Sequence, residues 1–414
     1  MPAGVGWDDA RVDLDIASWL ASPSGAAAVT AAQVQWRTSN DSLAASSRLR
    51  REFPDLNSTQ VAAALSQAEL RALAAARYGI TGSPLLTREG LEQATRPEVA
   101  DRRARLLADA GITHVIDLTA GLGFDSSAFV RAGLTVTCIE RSTVIATLLA
   151  ANLPGATVIT GDSTDPGLLD PLLAALPESS VVFVDPARRT GRRTTDGSRA
   201  QSERDPERWS PPLSFVISLA ARGLRVLVKT TPGFSVDSIP IGWSAEWVSS
   251  DRTVVECTLA SWPLLGERRA VGVGRDEFVV ASTPNVGTVG EVASFLYEPD
   301  PAVVSAGVTD ALCVDAVMRI DPTSHWLTSE SEITHPALRG YRVEQQVTAD
   351  ARALRPILRG LGIGDLTVKT RGAGVDAEKF RASLKLSGPK PGVLVILVRA
   401  GKQEAYLVTP LPSE

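Results

Sequence analysis

The chain has 414 residues, too many for one ordinary core, so two or three domains are expected. Its 44% hydrophobic and 21% charged residues are those of a globular protein, and no run reaches the roughly 18 uninterrupted apolar residues of a membrane span. The net charge of −5 hides an uneven distribution: residues 351–402 carry six Arg and five Lys against Asp365, Asp376 and Glu378, a formal +8. A basic end on an acidic body suits a polyanionic partner, and it equally suits a solvated charged face.

Along the chain, MPAGVGWDDARVDLDIASW has early acids and no basic-then-apolar pattern, so no secretory signal is expected and the cytoplasm is the expected location. Residues 1–80 predict a helical domain. LDIASWLAS, GAAAVTAAQVQW, SLAASSRLRREF and STQVAAALSQAELRALAAARYG space their apolar residues by three and four. Pro54 with Asn57-Ser58 offers a break and an N-cap, and Gly79 a stop. A turn, a short helix and a helix from near Pro97 to Gly111 follow.

The rhythm then changes to short β-rich runs, HVIDL, LTVTCIE, ATVIT, SVVFVD, LRVLVKT, AEWVSS and TVVECTLA. The first five are spaced as βα units and apolar on both faces, which predicts a parallel sheet covered by helices. Only DRT separates the last two, which predicts an antiparallel hairpin closing the sheet edge. RRAVGVG and EFVVAS read as short strands, and PDPAVVSAGVTDALCVDAV as a helix. The end alternates YRVEQQV, ARALRPILRGLG, LTVKTRG, DAEKFRASLKL, GVLVILVRAG and EAYLVT, an α+β module holding the basic residues. The expected division is therefore a helical domain at 1–80, an α/β domain at 81–265, a connecting segment at 266–340 and a basic module at 341–414.

Four acids stand at the carboxyl ends of successive strands, the edge where open α/β sheets bind ligands: Asp117, Glu140, Asp162 and Asp185. Gly121 and Gly123 let the backbone of TAGLGFD approach a ligand closely. Glu140 is placed to accept from ribose hydroxyls, and Asp162 from an adenine amino group. A dinucleotide fingerprint would need a third glycine where Ser126 stands. Asp117 and Asp125 beside the loop would also repel a pyrophosphate. A ligand with a sulfonium and an ammonium, S-adenosylmethionine, fits this acidic edge better. At least one of these acids is expected to serve only as a helix cap. Cys138, Cys257 and Cys313 form no CxxC pair, and His114, His325 and His335 show no metal-ligand spacing, so neither a disulfide framework nor a metal is expected.

VIDLTAGLGFDS with CIER, GDS and VVFVDPARR resembles a class I S-adenosylmethionine-dependent methyltransferase. LLTREGLEQATRPEVADRRA, FVDPARRTGRR, YEPDPAVVSAG and LTVKTRGAGVDAEKFRASLKLSG narrow the resemblance to the bacterial group with a C-terminal THUMP-like domain. These stretches span about residues 85–390. The resemblance implies an α/β fold: a Rossmann-like, seven-stranded methyltransferase sheet with an N-terminal helical domain and a C-terminal α+β THUMP-like module. It also implies an RNA substrate, tRNA or rRNA. The cofactor set expected is Asp117, Thr119, Ala120, Gly121, Gly123, Phe124, Asp125, Glu140, Arg141, Asp162, Ser163 and Asp185.

The resemblance places Asp185 and Pro186 in the motif that borders methyl donor and acceptor, and Asp185 is the candidate for orienting or deprotonating the acceptor. Arg188 and Arg189 stand where base-methylating relatives often carry an aromatic. An arginine there stacks on a base or holds a phosphate. Arg188 to Arg208 holds seven arginines against four acids, a strand-gripping loop or a solvated one, with Arg192 and Arg193 as further RNA candidates. Carbon-5 methylation of uridine needs a cysteine after the fifth strand, where VLVKTTPGFS has none. Direct transfer to nitrogen or oxygen remains. Lys229 is a candidate for contacting phosphate or base, or a strand-end lysine reaching for solvent. In the basic module Lys369, Arg371 and Lys385 are the expected contacts to RNA backbone. Two other readings stay open: an RNA-binding protein with a catalytically silent methyltransferase fold, and a small-molecule methyltransferase.

Overall fold

The computed structural model describes residues 12–38, 42–188, 203, 205–370 and 372–412. The chain divides into two compact units, Met1–Thr230 with Ala260–Trp262, and Thr231–Leu259 with Pro263–Glu414.

In the first unit, α1 (Leu14–Leu20), α2 (Pro23–Thr38), α3 (Ser42–Glu52) and α4 (Ser58–Tyr78) come first. Asp13 caps α1 by accepting from the Ile16 N–H. Asn57 and Gln60 form a reciprocal capping box at α4, which ends on Gly79 in the left-handed region. Small buried residues, Ala17, Ala28, Ala32, Ala64 and Ala68 among them, let these helices pack closely. Their core takes in Leu85, Leu86 and Leu91 and, from the α/β part, Leu122 and Leu148. The helices therefore share one core with the domain that follows. Two helices lead into the sheet, α5 (Arg88–Glu92), capped by Thr87, and α6 (Pro97–Asp109), with proline at its first position.

The parallel sheet is built from β1 (His114–Asp117), α7 (Phe124–Arg131), β2 (Thr135–Glu140), α8 (Thr143–Asn152), β3 (Thr157–Thr160), α9 (Pro166–Ala174), β4 (Ser180–Val184), α10 (Leu213–Ala221) and β5 (Val226–Thr230). The strand order is β3-β2-β1-β4-β5, and each neighbouring pair is parallel. β4 and β5 are buried at every residue, as the apolar runs on both faces require. The order reverses between β1 and β4, so the carboxyl ends of these strands open at a topological switch point, where such sheets bind ligands.

In the second unit, β6 (Ser244–Ser250) and β7 (Thr253–Ala260) are neighbours joined by a tight turn in which Asp251 and Arg252 take φ of 49° and 56°. The hairpin does not close the edge. β8 (Arg268–Val273) pairs parallel to β6, and β9 (Phe278–Ala281) antiparallel to β8. β6 thus lies between two strands and is buried throughout, which its mixed composition concealed.

The second sheet of this unit has the order β11-β12-β10-β13-β16-β15-β14. Its strands are β10 (Phe295–Pro299), β11 (Met318–Arg319), β12 (Leu327–Ser329), β13 (Leu338–Val347), β14 (Ile363–Lys369), β15 (Lys390–Arg399) and β16 (Lys402–Pro410). Strands β10 to β12 come from the stretch expected to be a connector: β10 pairs antiparallel with β13, β12 with β10 and β11 with β12, so they extend the same sheet. The helix expected after Pro301 is cut to α11 (Pro301–Ala306), because Gly307 takes a left-handed φ of 65° and caps it. Two more helices, α12 (Ala351–Gly360) and α13 (Ala377–Leu384), cover one face of the sheet. Alternation along β15 decides the layers: Leu394 and Ile396 join Leu354, Leu358 and Leu384, while Val395 and Leu397 join Trp326 and Tyr341.

Candidate functional site

The carboxyl ends of β1, β2 and β4 meet around the glycine-bearing loop. At the end of β1, Asp117 is 2% exposed and turns inward. It accepts from the Ser126 hydroxyl at 2.6 Å and the Thr119 N–H at 3.0 Å, tying the loop to the first turn of α7. Burial pushes its carboxyl up to about 7, against the two hydrogen bonds it accepts. The Thr119 hydroxyl accepts from the Asp185 N–H at 2.6 Å, joining the β1 loop to the end of β4.

Gly121 and Gly123 carry φ of 53° and 85°, a conformation that L side chains rarely adopt. A Cβ at Gly123 would fall 2.6 Å from Leu149, whereas at Gly121 open space surrounds the position, so Gly121 is where the loop turns its bare backbone outward. Glu140 holds that turn, accepting from the Gly121 N–H at 3.1 Å and the Ser142 N–H at 2.7 Å. Asp162 is exposed, and the N–H and hydroxyl of Thr164 hold its carboxyl below the ordinary value. Ser163 is buried beside it. Arg141 is exposed.

Asp125 departs from the expectation of an acid facing a cationic ligand. It is 7% exposed and already neutralised. Arg103 donates to its Oδ1, the Thr95 hydroxyl to its Oδ2 at 2.6 Å, and Lys229 lies 3.3 Å from the same oxygen. Burial pushes this carboxyl up, but Arg103 and Lys229 outweigh burial and leave it below its ordinary value. Phe124 departs as well, packing against the core of the N-terminal helices.

Lys229 is 4% exposed. Its ammonium donates to Asp185 at 2.6 Å, to Thr95 at 2.7 Å and to Asp125 at 3.3 Å, so it is no phosphate-gripping side chain at a strand end. Asp185 reaches the surface with 26% of its side chain exposed, and Arg188 stands 3.7 Å from its other oxygen. Pro186 is buried behind it. Arg189, Arg192, Arg193 and Arg371 lie outside the described residues. Lys369 is ion-paired with Glu298 at 3.1 Å, whereas Lys385 is exposed at the end of α13.

Sequence reasoning missed Thr95 and Arg103. The signal for Arg103 was present: it shares the buried face of α6 with Val99, Ala100, Ala104 and Leu107, a charge on an apolar stripe. Its guanidinium lies over the Phe183 ring at 5.4 Å.

The acids at this edge that are not fully buried, Glu140, Asp162 and Asp185, are hydrogen-bond acceptors beside a loop whose backbone is open at Gly121. That set suits a ligand rich in donors, with a ribose diol, amino groups and a positive charge, and opposes a pyrophosphate. S-Adenosylmethionine fits it. Among the described residues no group of three or more His, Cys, Asp or Glu could hold a metal, and no helix is long and apolar enough to cross a membrane.

Comparison with known proteins agrees. Residues 83–158 match a family described as "Putative SAM-dependent methyltransferase", residues 338–410 a family described as "THUMP domain-like", and residues 13–74 a domain of unknown function. The chain is 30% identical over 332 residues to uncharacterized S-adenosylmethionine-dependent methyltransferases from two strains of Mycobacterium tuberculosis. The match covers 78% of this chain and 87% of each relative. A solved "putative methyltransferase" from Porphyromonas gingivalis is 20% identical and has the same fold, with a TM-score of 0.68 over 86% of this chain and 91% of that one. The chain belongs to the S-adenosylmethionine-dependent methyltransferases.

Proposed function

We propose that the methyl group goes by direct displacement to a nitrogen or oxygen of an RNA nucleotide, in tRNA or rRNA. The observation that carries this reading is the basic helical face of the THUMP-like module. Arg352 and Arg359 of α12 are exposed, as are Lys379, Arg381, Lys385 and Lys390. Arg355 and Arg359 donate to the carbonyls of Ser383 and Lys385, so the two helices present their charges together. Phosphate contacts of this kind position an RNA without reading its sequence. Lys369 is half-buried in its pair with Glu298, whereas Lys379 and Arg381 pair with Asp376 and Glu378 in the open, so α12 and α13 are better placed than β14 to make them.

S-Adenosylmethionine, when bound, supplies an electrophilic methyl group on a sulfonium. The chain's own residues bind and align. Glu140 accepts from ribose hydroxyls, Asp162 from the adenine amino group, and the open turn at Gly121 admits the ligand against the backbone. Asp185 accepts a hydrogen bond from the N–H or O–H of the acceptor, orienting its lone pair, and takes or relays the proton released. Arg188, beside Asp185, contacts the base or its phosphate. A covalent route to carbon would need a thiolate at the end of β5, where Lys229 and Thr230 stand. Burial pushes the Cys138 thiol up to about 12, which leaves it inert. The cytoplasm is the compartment we favour, since Cys138, Cys257 and Cys313 are all free thiols.

The test is transfer of labelled methyl from S-adenosylmethionine into unfractionated tRNA and rRNA, run beside a metabolite extract. RNA is expected to take up label, and Asp185→Asn is expected to lower the rate by about 100-fold or more. Label confined to small molecules would reject the RNA reading. Cofactor binding with no incorporation anywhere would favour a silent fold.

A further inference from the structure

The buried charges beneath Asp185 have no part in the reading above. Arg103, Asp125 and Lys229 are each less than a tenth exposed, yet they come from α6, α7 and β5. Thr95, in the loop between α5 and α6, closes a ring with two of them: the Lys229 ammonium donates to its hydroxyl at 2.7 Å, and the hydroxyl donates to Asp125 at 2.6 Å. The ring leads to Asp185, 2.6 Å from the same ammonium and 26% exposed. Such a network costs more in desolvation than a packed apolar group, and what it yields is fixed geometry. A lysine has a long, flexible stem, and one carboxylate alone would not fix its ammonium. Three acceptors on three different elements do.

We infer that Thr95, Asp125 and Arg103 are positioning residues that hold the Lys229 ammonium against Asp185, so that the segment preceding β1 completes the acceptor side of the active site. Arg103 supplies the second cation that lets Asp125 stay ionised while it shares its charge with Lys229. Lys229 occupies Oδ2 of Asp185 and leaves Oδ1, which Arg188 approaches only to 3.7 Å, as the oxygen offered to the acceptor's N–H or O–H. The inference rests on the reading that Asp185 faces the acceptor, while the geometry of the ring stands apart from the identity of the substrate.

Two measurements test it. The first splits kinetic constants, with labelled transfer into unfractionated tRNA and rRNA. Lys229→Met is expected to lower kcat by about 100-fold and Thr95→Val by about tenfold, each with KM for S-adenosylmethionine within about threefold of the parent. A raised KM with kcat intact would overturn the inference. The second needs no acceptor. The chain has six lysines, and among the described residues Lys229 is the buried one, so its side-chain ammonium should give a slowly exchanging NMR signal that Lys229→Met abolishes. That signal is expected to shift in both Thr95→Val and Asp185→Asn. If the parent methylates no RNA, the substrate reading fails and the ammonium signal still decides the network. A Lys229 signal unmoved by either variant would overturn it, even where the parent proves fully active.

Discussion

Asp117 shows how burial changes what an acid at a strand end does. Its carboxylate is enclosed, and burial raises its pKa to about 7 from an ordinary 3.8. Between those two values the folded chain binds a proton that the unfolded chain releases. The stability this contributes is therefore complete below about 4 and is lost as pH rises through about 7. Replacing the ionisable group by an amide of the same shape removes the dependence. Thermal unfolding of Asp117→Asn is expected to show a smaller fall in Tm from pH 5 to pH 8 than the parent. Equal falls in the two proteins would mean that Asp117 is ionised across that range. Asp125 sits eight residues further on and is equally enclosed, but two cations reach it and its shift has the opposite sign.

At the scale of elements, the N-terminal helices and the cofactor loop are one construction. Leu122, the residue between the two loop glycines, is buried in the core of α1, α2 and α4. At the end of α8, the Asn152 side chain donates to the carbonyls of Leu85 and Leu122 and accepts from the Leu85 N–H at 2.7 Å. Gly90 lies against Leu122 so closely that a Cβ would fall 2.3 Å from its side chain. The loop is thus held from behind while Gly121 stays open. Asn152→Ala leaves these backbone groups without partners and is expected to cost about 1–3 kcal/mol of stability. If roughly half of that falls on the loop, S-adenosylmethionine binding weakens by about two- to tenfold, which calorimetry would read. An affinity equal to the parent's would show that the loop keeps its shape without the clamp.

For the molecule as a whole, the uneven charge becomes a statement about partners. A total of −5 says little, but the exposed cations of α12 and α13 form one surface. If that surface grips phosphates, RNA affinity falls linearly on a log–log plot against salt, by about 0.7 per phosphate for a single strand. Arg352→Ala combined with Lys379→Ala is expected to lower affinity for every RNA to a similar degree and to reduce the slope by about 1.4. Cofactor affinity should not change. A slope unchanged by the pair would place the RNA-binding surface elsewhere.

What the sequence by itself determined was whatever local chemistry decides. The five βα units, the N-cap at Asn57-Ser58, the stop at Gly79 and the acids at the strand ends were legible, because periodicity and capping act within a few residues. The fate of each acid was not. Thr95 and Lys229 are 134 residues apart, and Asp125 and Lys229 are 104 apart. No local pattern announces such meetings. Asp117, Asp125, Glu140 and Asp185 read alike as anions along one edge, yet one is buried with its carboxyl pushed up to about 7, one is buried between cations, and two are only partly buried. The tertiary structure decided this, because the charge and reach of a carboxylate depend on desolvation and on partners that only folding brings near.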